Sequence, residues 1–243
     1  MHTIKLDATD STNTYLKNLA RRNELDDFTT VVTHKQSKGK GQRGSSWESE
    51  PGKNLTFSTL KKFDKLSATN GFLLNICASL AVSDALKRLS IPNLIVKWPN
   101  DILSGNAKIC GILVENLLFG NQIKTSIIGI GLNVNQTNFH NVSNATSMKL
   151  LLGHTFNLDE VRSAIIEELK NLCSLMEEQE FDSLRKTYEQ QLFRKDKPST
   201  FKNVKGDFFM GFIRGVSAEG RLLVELEDAI LHEFDLKQIQ LLY

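Results

Sequence analysis

The sequence predicts an α+β protein, a mixed sheet with helices followed by a small β-barrel. Segments with the two-residue period of strands alternate with segments of helical period through the first part of the chain. Two amphipathic helices come next, and beyond them the pattern changes to short strands separated by glycines. We therefore expect a larger domain over residues 1–194 and a small β-domain over residues 195–243.

The elements of the first half follow from local signals. After a short opening strand, Ser11 suits a helix N-cap, and the apolar residues from Tyr15 onward continue the helix. The β-branched run Thr29–Thr33 predicts a strand, whereas the glycine-rich stretch 39–52 favours no regular element. Next we expect a strand at Leu55–Leu60, a mostly buried helix at Asn70–Leu89 and a strand at Leu94–Trp98 that Pro99 ends.

The second half begins with a predicted hairpin. Its strands are Lys108–Leu118 and Ile123–Ile130, joined at Phe119–Gln122 by glycine and asparagine, which are typical of tight turns. Two helices follow, because their apolar residues recur at spacings of three and four and so share one face. These residues are Leu158, Val161, Ile165, Leu169, Leu172 and Met176, then Phe181, Leu184, Tyr188 and Leu192. Beyond Lys195, four glycines separate short strands, which predicts the small barrel.

Composition excludes several classes of protein. The 243 residues include 30 Lys+Arg and 28 Asp+Glu, so the net charge of +2 argues against a protein that coats nucleic acid. Cys77, Cys110 and Cys173 are widely spaced and form no CxxC pair, so we expect buried free thiols. We see no signal peptide, and the apolar run Phe72–Val82 is too short to span a bilayer. A cytoplasmic location is expected.

The glycine-rich loop carries the first functional signal. Residues 39–44 read GKGQRG, and no acidic residue lies between Phe28 and Trp47. The loop is not a dinucleotide motif, because Ser45, Ser46 and Trp47 do not open a helix, and it lacks the lysine of a Walker loop. Glycines let backbone N–H groups converge on an anion while nearby cations add charge. The alternative is a flexible basic surface loop.

A second signal lies at Lys97-Trp98-Pro99-Asn100-Asp101 and at Lys108, which opens an otherwise apolar strand. Burying an ammonium is costly without an anionic partner, although its head could instead stay exposed at the strand start. Together with the basic loop, Lys108 favours an anion-binding cleft.

These segments, in this order, resemble the biotin–protein ligases. The most specific part is Lys97 to Asp101 followed by Lys108-Ile109-Cys110-Gly111-Ile112-Leu113. The other matching segments are Ser11-Thr12-Asn13, Gln36, the glycine loop up to Trp47, Gly129 to Asn135, Ala145-Thr146-Ser147 and the terminal β-domain. The resemblance covers essentially the whole chain, and it implies a class II synthetase-like catalytic domain followed by an SH3-like β-barrel.

The resemblance also implies a reaction and its residues. Biotin and MgATP would give biotinyl-5′-AMP, and a lysine of a biotin carboxyl carrier domain would then take the biotin. Lys108 is the catalytic candidate, beside the carboxylate and the α-phosphate. The implied biotin-binding residues are Ser11, Thr12, Asn13, Gln36, Lys40, Gly41, Gln42, Lys108 and Gly111. Those on the side of ATP and magnesium are Arg43, Trp47, Lys97, Asn100, Asp101 and Asn133. No dedicated protein metal site is expected, since Mg²⁺ arrives with ATP.

Two features depart from the family pattern. Family loops often carry arginines where this chain has Lys40 and Gln42, and Gln42 supplies no charge to a phosphate. The Ser-Thr-Asn segment begins at residue 11, so we expect no N-terminal DNA-binding domain and no binding to DNA. No contact with a membrane is expected, and both a monomer and a homodimer remain open.

The sequence leaves two alternative functions open. A lipoate–protein ligase has related chemistry, although the Lys97 to Asp101 segment argues against it. A non-enzymatic module that binds RNA or a partner through residues 38–46 would leave Lys108 without a role.

Overall fold

The structure is a computed structural model that describes residues 2–139, 144–227 and 229–243, without the side chain of Arg43. It contains a seven-stranded mixed sheet with helices on both faces and a separate five-stranded sheet. The predicted α+β class is therefore confirmed. Within the described ranges, no helix has both the length and the apolar character needed to cross a membrane.

The large sheet holds strands β1 to β7 in the order β1-β2-β3-β7-β6-β5-β4. Their bounds are Thr3–Thr9, Thr30–Gln36, Leu55–Ser67, Leu94–Lys97, Asp101–Ser104, Ala107–Phe119 and Gln122–Leu132. Only β1 and β2 run parallel, and the other neighbouring pairs are antiparallel. The sheet thus brings the long strands β3, β6 and β7 to its centre.

Among the residues described, five α-helices accompany this sheet. They are α1 (Thr12–Arg22), α2 (Leu73–Arg88), α3 (Met148–Leu152), α4 (Leu158–Glu177) and α5 (Phe181–Gln190). Helix α2 is buried along most of its length, because the sheet, α4 and α5 all pack against it. Adjacent residues of a strand point to opposite faces. Accordingly, Val32 packs on the main hydrophobic core, which surrounds α2. Val31 instead joins Leu16 of α1 in a small core on the other face of the sheet.

The three cysteines lie inside the protein as free thiols, as predicted. Cys77 of α2 and Cys173 of α4 pack in the main core, and Cys110 lies on β6. Burial raises the pKa of the Cys110 thiol, so this group stays protonated and behaves as a small apolar side chain.

The second sheet contains β8 (Pro198–Asn203), β9 (Phe208–Val216), β10 (Leu222–Glu225), β11 (Leu231–Phe234) and β12 (Ile239–Leu242). Its order is β11-β10-β9-β8-β12, with every neighbouring pair antiparallel. The sheet is consistent with an SH3-like domain but is open. In the described residues, β11 and β12 form its edges and do not pair with each other, so the expectation of a closed barrel is corrected.

Backbone and side-chain contacts join the two sheets. Val96 of β4 donates to Gln191 O and accepts from Phe193 N, both at 2.8 Å, which fixes the chain that leaves α5. The Trp98 indole N–H donates to Gly220 O in the loop before β10 at 2.8 Å. The domain boundary near Arg194 remains a prediction.

Several elements differ from the sequence expectations. Strand β5 and helix α3 were not predicted, because four and five residues are too few for a periodic pattern to stand out. Strand β3 continues past Leu60 to Ser67. The loop expected to lack regular structure contains a short 3-10 turn, Gln42–Gly44.

Candidate active site

A cavity of about 160 Å³ opens where the N-terminus of α1 meets the glycine-rich loop and the centre of the large sheet. All nine residues predicted to bind biotin line it: Ser11, Thr12, Asn13, Gln36, Lys40, Gly41, Gln42, Lys108 and Gly111. The structure therefore brings together side chains that lie up to a hundred residues apart in the sequence.

The start of α1 supplies neutral polar groups to this cavity. Ser11 is the N-cap, and its hydroxyl accepts from Thr14 N. The Thr12 backbone N–H and hydroxyl both donate to Gln36 Oε1, at 2.8 and 3.1 Å. Residues at a helix start are well placed for this role because their backbone N–H groups lack partners within the helix.

The buried hydroxyl of Ser58, on β3, organises the same end of the cavity. It lies 2.7 Å from Thr12 Oγ1 and 2.5 Å from Asn13 Oδ1, and its single proton can be donated to either. Sequence reasoning missed Ser58, since Thr56 and Thr59 of the same strand also carry hydroxyls and nothing local distinguishes Ser58 from them.

Glycines form the floor of the cavity. Gly111 on β6 and Gly131 on β7 are paired residues, and the Trp47 indole packs directly on them. A Cβ at Gly111 would lie 2.9 Å from Trp47 Cζ3, and one at Gly131 would lie 2.4 Å from Trp47 Cε2. Gly131 and Gly129 are further lining residues that the sequence analysis placed in a motif without giving them a role.

The glycine-rich loop folds back on itself to place Trp47 there. Gly41 N donates to Ser45 O at 2.7 Å, and Trp47 N donates to Gly39 O at 2.9 Å. In the part of the chain that the structure describes, Trp47 Nε1 and Gln42 Oε1 are buried without hydrogen-bond partners. Buried polar atoms of this kind are uncommon, and both remain able to bond to a ligand.

Lys108 lies at the charged end of the cavity. Its Nζ is 2.7 Å from Asp101 Oδ1 and 5.5 Å from the centroid of the Trp47 ring. The backbone of Lys108 is held by hydrogen bonds to Asn144 O and from Thr146 N. The side chains of Lys108 and Asp101 are 31% and 21% exposed, so the pair is accessible from the cavity. An ammonium in this position can stabilise negative charge on a bound ligand.

A larger cleft of about 860 Å³ adjoins this cavity and reaches the second sheet. Gln42, Asn100 and Asp101 line both spaces, so the two lie side by side. Lys97 also lines the cleft, where its Nζ is 3.1 Å from the Tyr243 hydroxyl and 4.5 Å from the centroid of that ring. Sequence reasoning missed the contribution of Tyr243, because nothing local links it to Lys97.

Of the other residues predicted to bind ATP, those with described side chains are not among the residues that line the larger cleft. Trp47 lines the smaller cavity rather than the cleft. Asn133 lines neither space: it is 4% exposed, and its amide donates to Thr146 O at 3.0 Å, so it holds the chain beside Lys108. The Arg43 side chain lies outside the described parts of the structure.

The site offers few carboxylates that could hold a Mg²⁺ ion. Within the described ranges, no three or more His, Cys, Asp and Glu side chains cluster at metal-binding distances. The Asp101 carboxylate faces the junction of the two spaces, and Mg²⁺ bound to nucleotide phosphates commonly takes only one or two protein carboxylates. The residues present thus fit a Mg²⁺ ion that arrives with a nucleotide.

Comparison with known proteins decides the family. Residues 6–133 match the model of the biotin/lipoate A/B protein ligase family, and this segment holds both cavity-lining motifs. The chain belongs to this family. Among curated relatives, the bifunctional ligase/repressor BirA of Escherichia coli is 28% identical over 225 residues, which are 91% of this chain and 68% of BirA. The biotin--[acetyl-CoA-carboxylase] ligase of Paracoccus denitrificans is 35% identical over 128 residues, 52% of each chain.

A solved structure extends the family likeness to the whole chain. The biotin protein ligase from Aquifex aeolicus in complex with biotin and ATP superposes with a TM-score of 0.81 at 25% identity. The match covers 99% of this chain and 98% of that one, so it includes the second sheet of this family member.

Proposed function

We propose that this chain is a biotin–protein ligase, which uses MgATP to make biotinyl-5′-AMP and then transfers biotin to a protein lysine. The observation that carries the proposal is a pair of adjacent spaces. The smaller has neutral polar groups at the start of α1, the larger reaches Lys97, and Lys108 and Asp101 lie where the two meet. The similarity to BirA and to the Aquifex aeolicus enzyme with biotin and ATP supports it.

The smaller cavity suits the biotin ring system. Ser11, Thr12, Asn13 and Gln36 present hydroxyl and amide groups, which can bond to a neutral cyclic urea without leaving a buried charge. The glycines on β6 and β7 let the Trp47 indole pack flat on the sheet, where it provides an apolar surface against the ligand. The biotin carboxylate then points to Lys108.

Activation joins the two substrates at the junction. A biotin carboxylate oxygen attacks the α-phosphorus of ATP, the bond to the bridging oxygen breaks, and pyrophosphate leaves. Lys108 stabilises the negative charge that carboxylate and phosphate bring together. Lys97, Asn100 and Asp101 line the cleft on the nucleotide side, and Asp101 would supply the carboxylate that helps to hold the Mg²⁺ accompanying the phosphates.

Transfer uses the mixed anhydride made in the first step. The neutral ε-amine of an acceptor lysine attacks the acyl carbon, the bond to the AMP oxygen breaks, and the amine loses a proton as the amide forms. Holding the anhydride beside Trp47 limits access of water, which would otherwise hydrolyse it.

The acceptor, on this proposal, is the biotin carboxyl carrier domain of a biotin-dependent carboxylase. The similarity to the Paracoccus denitrificans biotin--[acetyl-CoA-carboxylase] ligase supports this choice. A cytoplasmic location and action without binding DNA are part of the same proposal.

Pyrophosphate release from MgATP tests the proposal, with biotin, lipoate or no acid present. We expect release with biotin alone, a retained mass of biotinyl-5′-AMP by native mass spectrometry, and transfer of biotin to a carrier domain. Release with lipoate alone would replace this function by that of a lipoate ligase. Release with neither acid would refute the ligase assignment, and salt-dependent RNA binding would then support the binding module.

A further inference from the structure

Glu115 lies behind the cavity wall and contacts Asn13, a residue that does line the cavity. The two are 102 positions apart in the sequence, and Glu115 itself does not reach the cavity. Asn13 Nδ2 donates to Glu115 Oε2 at 3.0 Å and to Leu113 O at 3.2 Å. Both N–H bonds of the Asn13 amide are therefore used by the protein.

This arrangement fixes which end of the amide faces the cavity. A carboxylate and a backbone carbonyl only accept hydrogen bonds, so the amide nitrogen must point to them. The carbonyl oxygen, Oδ1, then lies 2.5 Å from the Ser58 hydroxyl. The backbone of Gly129 packs against this oxygen, since a Cβ added at Gly129 would lie 2.2 Å from Oδ1. Ser58 takes at most one of the two acceptor positions of Oδ1, so Asn13, which lines the cavity, can still accept a hydrogen bond from a ligand.

Glu115 is itself held in its ionised, accepting form. Lys17 Nζ donates to Glu115 Oε1 at 2.8 Å, so each carboxylate oxygen has its own donor. Burial raises the pKa of Glu115, but the hydrogen bonds from Lys17 and Asn13 and the charges of Lys17 and Lys40 outweigh it. The pKa falls below its usual value, and the carboxylate is charged at neutral pH.

We propose that Glu115 is a positioning residue that orients the Asn13 amide, so that the cavity prefers an acid whose ring system carries an N–H donor. The inference rests on the proposed function. Biotin has a urea N–H at its ring end, whereas the dithiolane ring of lipoate has no donor. Ser58 fills at most one of the two acceptor positions of Asn13 Oδ1, so a ligand without an N–H leaves the second position unfilled and is disfavoured.

A double-mutant cycle tests this role. Pyrophosphate release is measured for the wild type, Asn13→Ala, Glu115→Ala and the double variant, with KM and kcat for biotin and for ATP. We expect Glu115→Ala to raise KM for biotin about tenfold, the size of one lost hydrogen bond to a charged group, with KM for ATP unchanged. Since Glu115 acts through Asn13, the double variant is expected to be no worse than Asn13→Ala alone.

Two further variants distinguish a role of Glu115 in orienting Asn13 from a general effect on folding. Glu115→Gln keeps the size and can still accept from Asn13, so it is expected to recover most of the biotin affinity. Glu225→Gln is the matched control: Glu225 accepts two hydrogen bonds from Arg214, at 3.1 Å each, in the second sheet. It is expected to leave both KM values unchanged.

The outcomes distinguish the two proposals. No biotin-dependent release by the wild type would refute the proposed function and this inference with it. Normal wild-type release combined with additive effects in the cycle, or with equal changes in KM for biotin and ATP, would refute the inference alone. An unchanged preference for biotin over lipoate in Glu115→Ala would also overturn it.

Discussion

Replacing Lys108 by Met removes one positive charge from the reacting centre while keeping an unbranched side chain of similar length against Trp47. Two unit charges 4 Å apart interact by about 4 kcal/mol at the effective dielectric constant of 20 found near protein surfaces. The Lys108 side chain is 31% exposed, so solvent screens part of this energy. A loss of about 2.7–4 kcal/mol remains, which corresponds to about 10²–10³ in kcat for adenylate formation.

The assay is single-turnover formation of biotinyl-5′-AMP, followed by transfer from supplied biotinyl-5′-AMP to a carrier domain. We expect Lys108→Met to slow the first step by the factor above. Transfer from the supplied adenylate is expected to fall less, because the anhydride bond is already made and the carboxylate no longer has to approach the phosphate.

Lys61 provides the matched control. Its side chain is 7% exposed, its Nζ lies 2.7 Å from both Asp27 and Glu177, and none of these three residues lines the cavity. Lys61→Met removes both ion pairs, although Asp27 keeps its hydrogen bond from Lys62 N, and it is expected to lower the melting temperature without changing kcat. If Lys108→Met forms adenylate within threefold of the wild-type rate, the role given to Lys108 is wrong.

Three other perturbations are informative. Gly131→Ala adds a Cβ that would lie 2.4 Å from Trp47 Cε2, so we expect a shifted tryptophan fluorescence and weaker binding of biotin by calorimetry; an unchanged spectrum would contradict this packing. Glu115→Gln is expected to lose about 1 kcal/mol of unfolding free energy at pH 7. Because folding lowers the pKa of Glu115, this difference should shrink as the pH falls below 4.5, and urea titrations showing it constant would refute the ion pair. Leu80→Ala, fully buried in α2, should cost about 2–5 kcal/mol in urea unfolding, against little for the half-exposed Leu175→Ala; equal costs would contradict the assigned core.

Local patterns located most elements but not their partners. The turn at Phe119–Gln122 was correct to within a residue, since glycine and asparagine between two apolar runs permit few other structures. Strand β3 was predicted to end at Leu60, because Lys61 and Lys62 interrupt its apolar run. In the structure Lys61 stays buried, since distant Asp27 and Glu177 neutralise it. Such partners cannot be read from a local window.

In the candidate site, too, local motifs were predictable from the sequence and contacts between distant residues were not. The motif residues converge on one cavity because they lie at the start of α1, on the glycine loop and on paired strands. Ser58 and Glu115 escaped the prediction of site residues, because their roles depend on contacts with Thr12 and Asn13 that only the folded sheet creates. Asn133 lines neither space, and its amide donates to Thr146 O, so its expected role toward the nucleotide stays a prediction. A motif identifies which residues act together, but not which of them touch the ligand.

The arrangement of polar and charged groups in the cavity favours biotin over lipoate. The groups at the start of α1 that line the cavity are neutral and polar, whereas its charged lining residues are Lys40, Lys108 and Asp101. A ligand that fits must therefore be neutral and hydrogen-bonding at one end and anionic at the other. Biotin has a urea and a carboxylate in those places. Lipoate shares the carboxylate, but its dithiolane has no N–H to donate to the second acceptor position of Asn13 Oδ1, the first being within reach of the Ser58 hydroxyl.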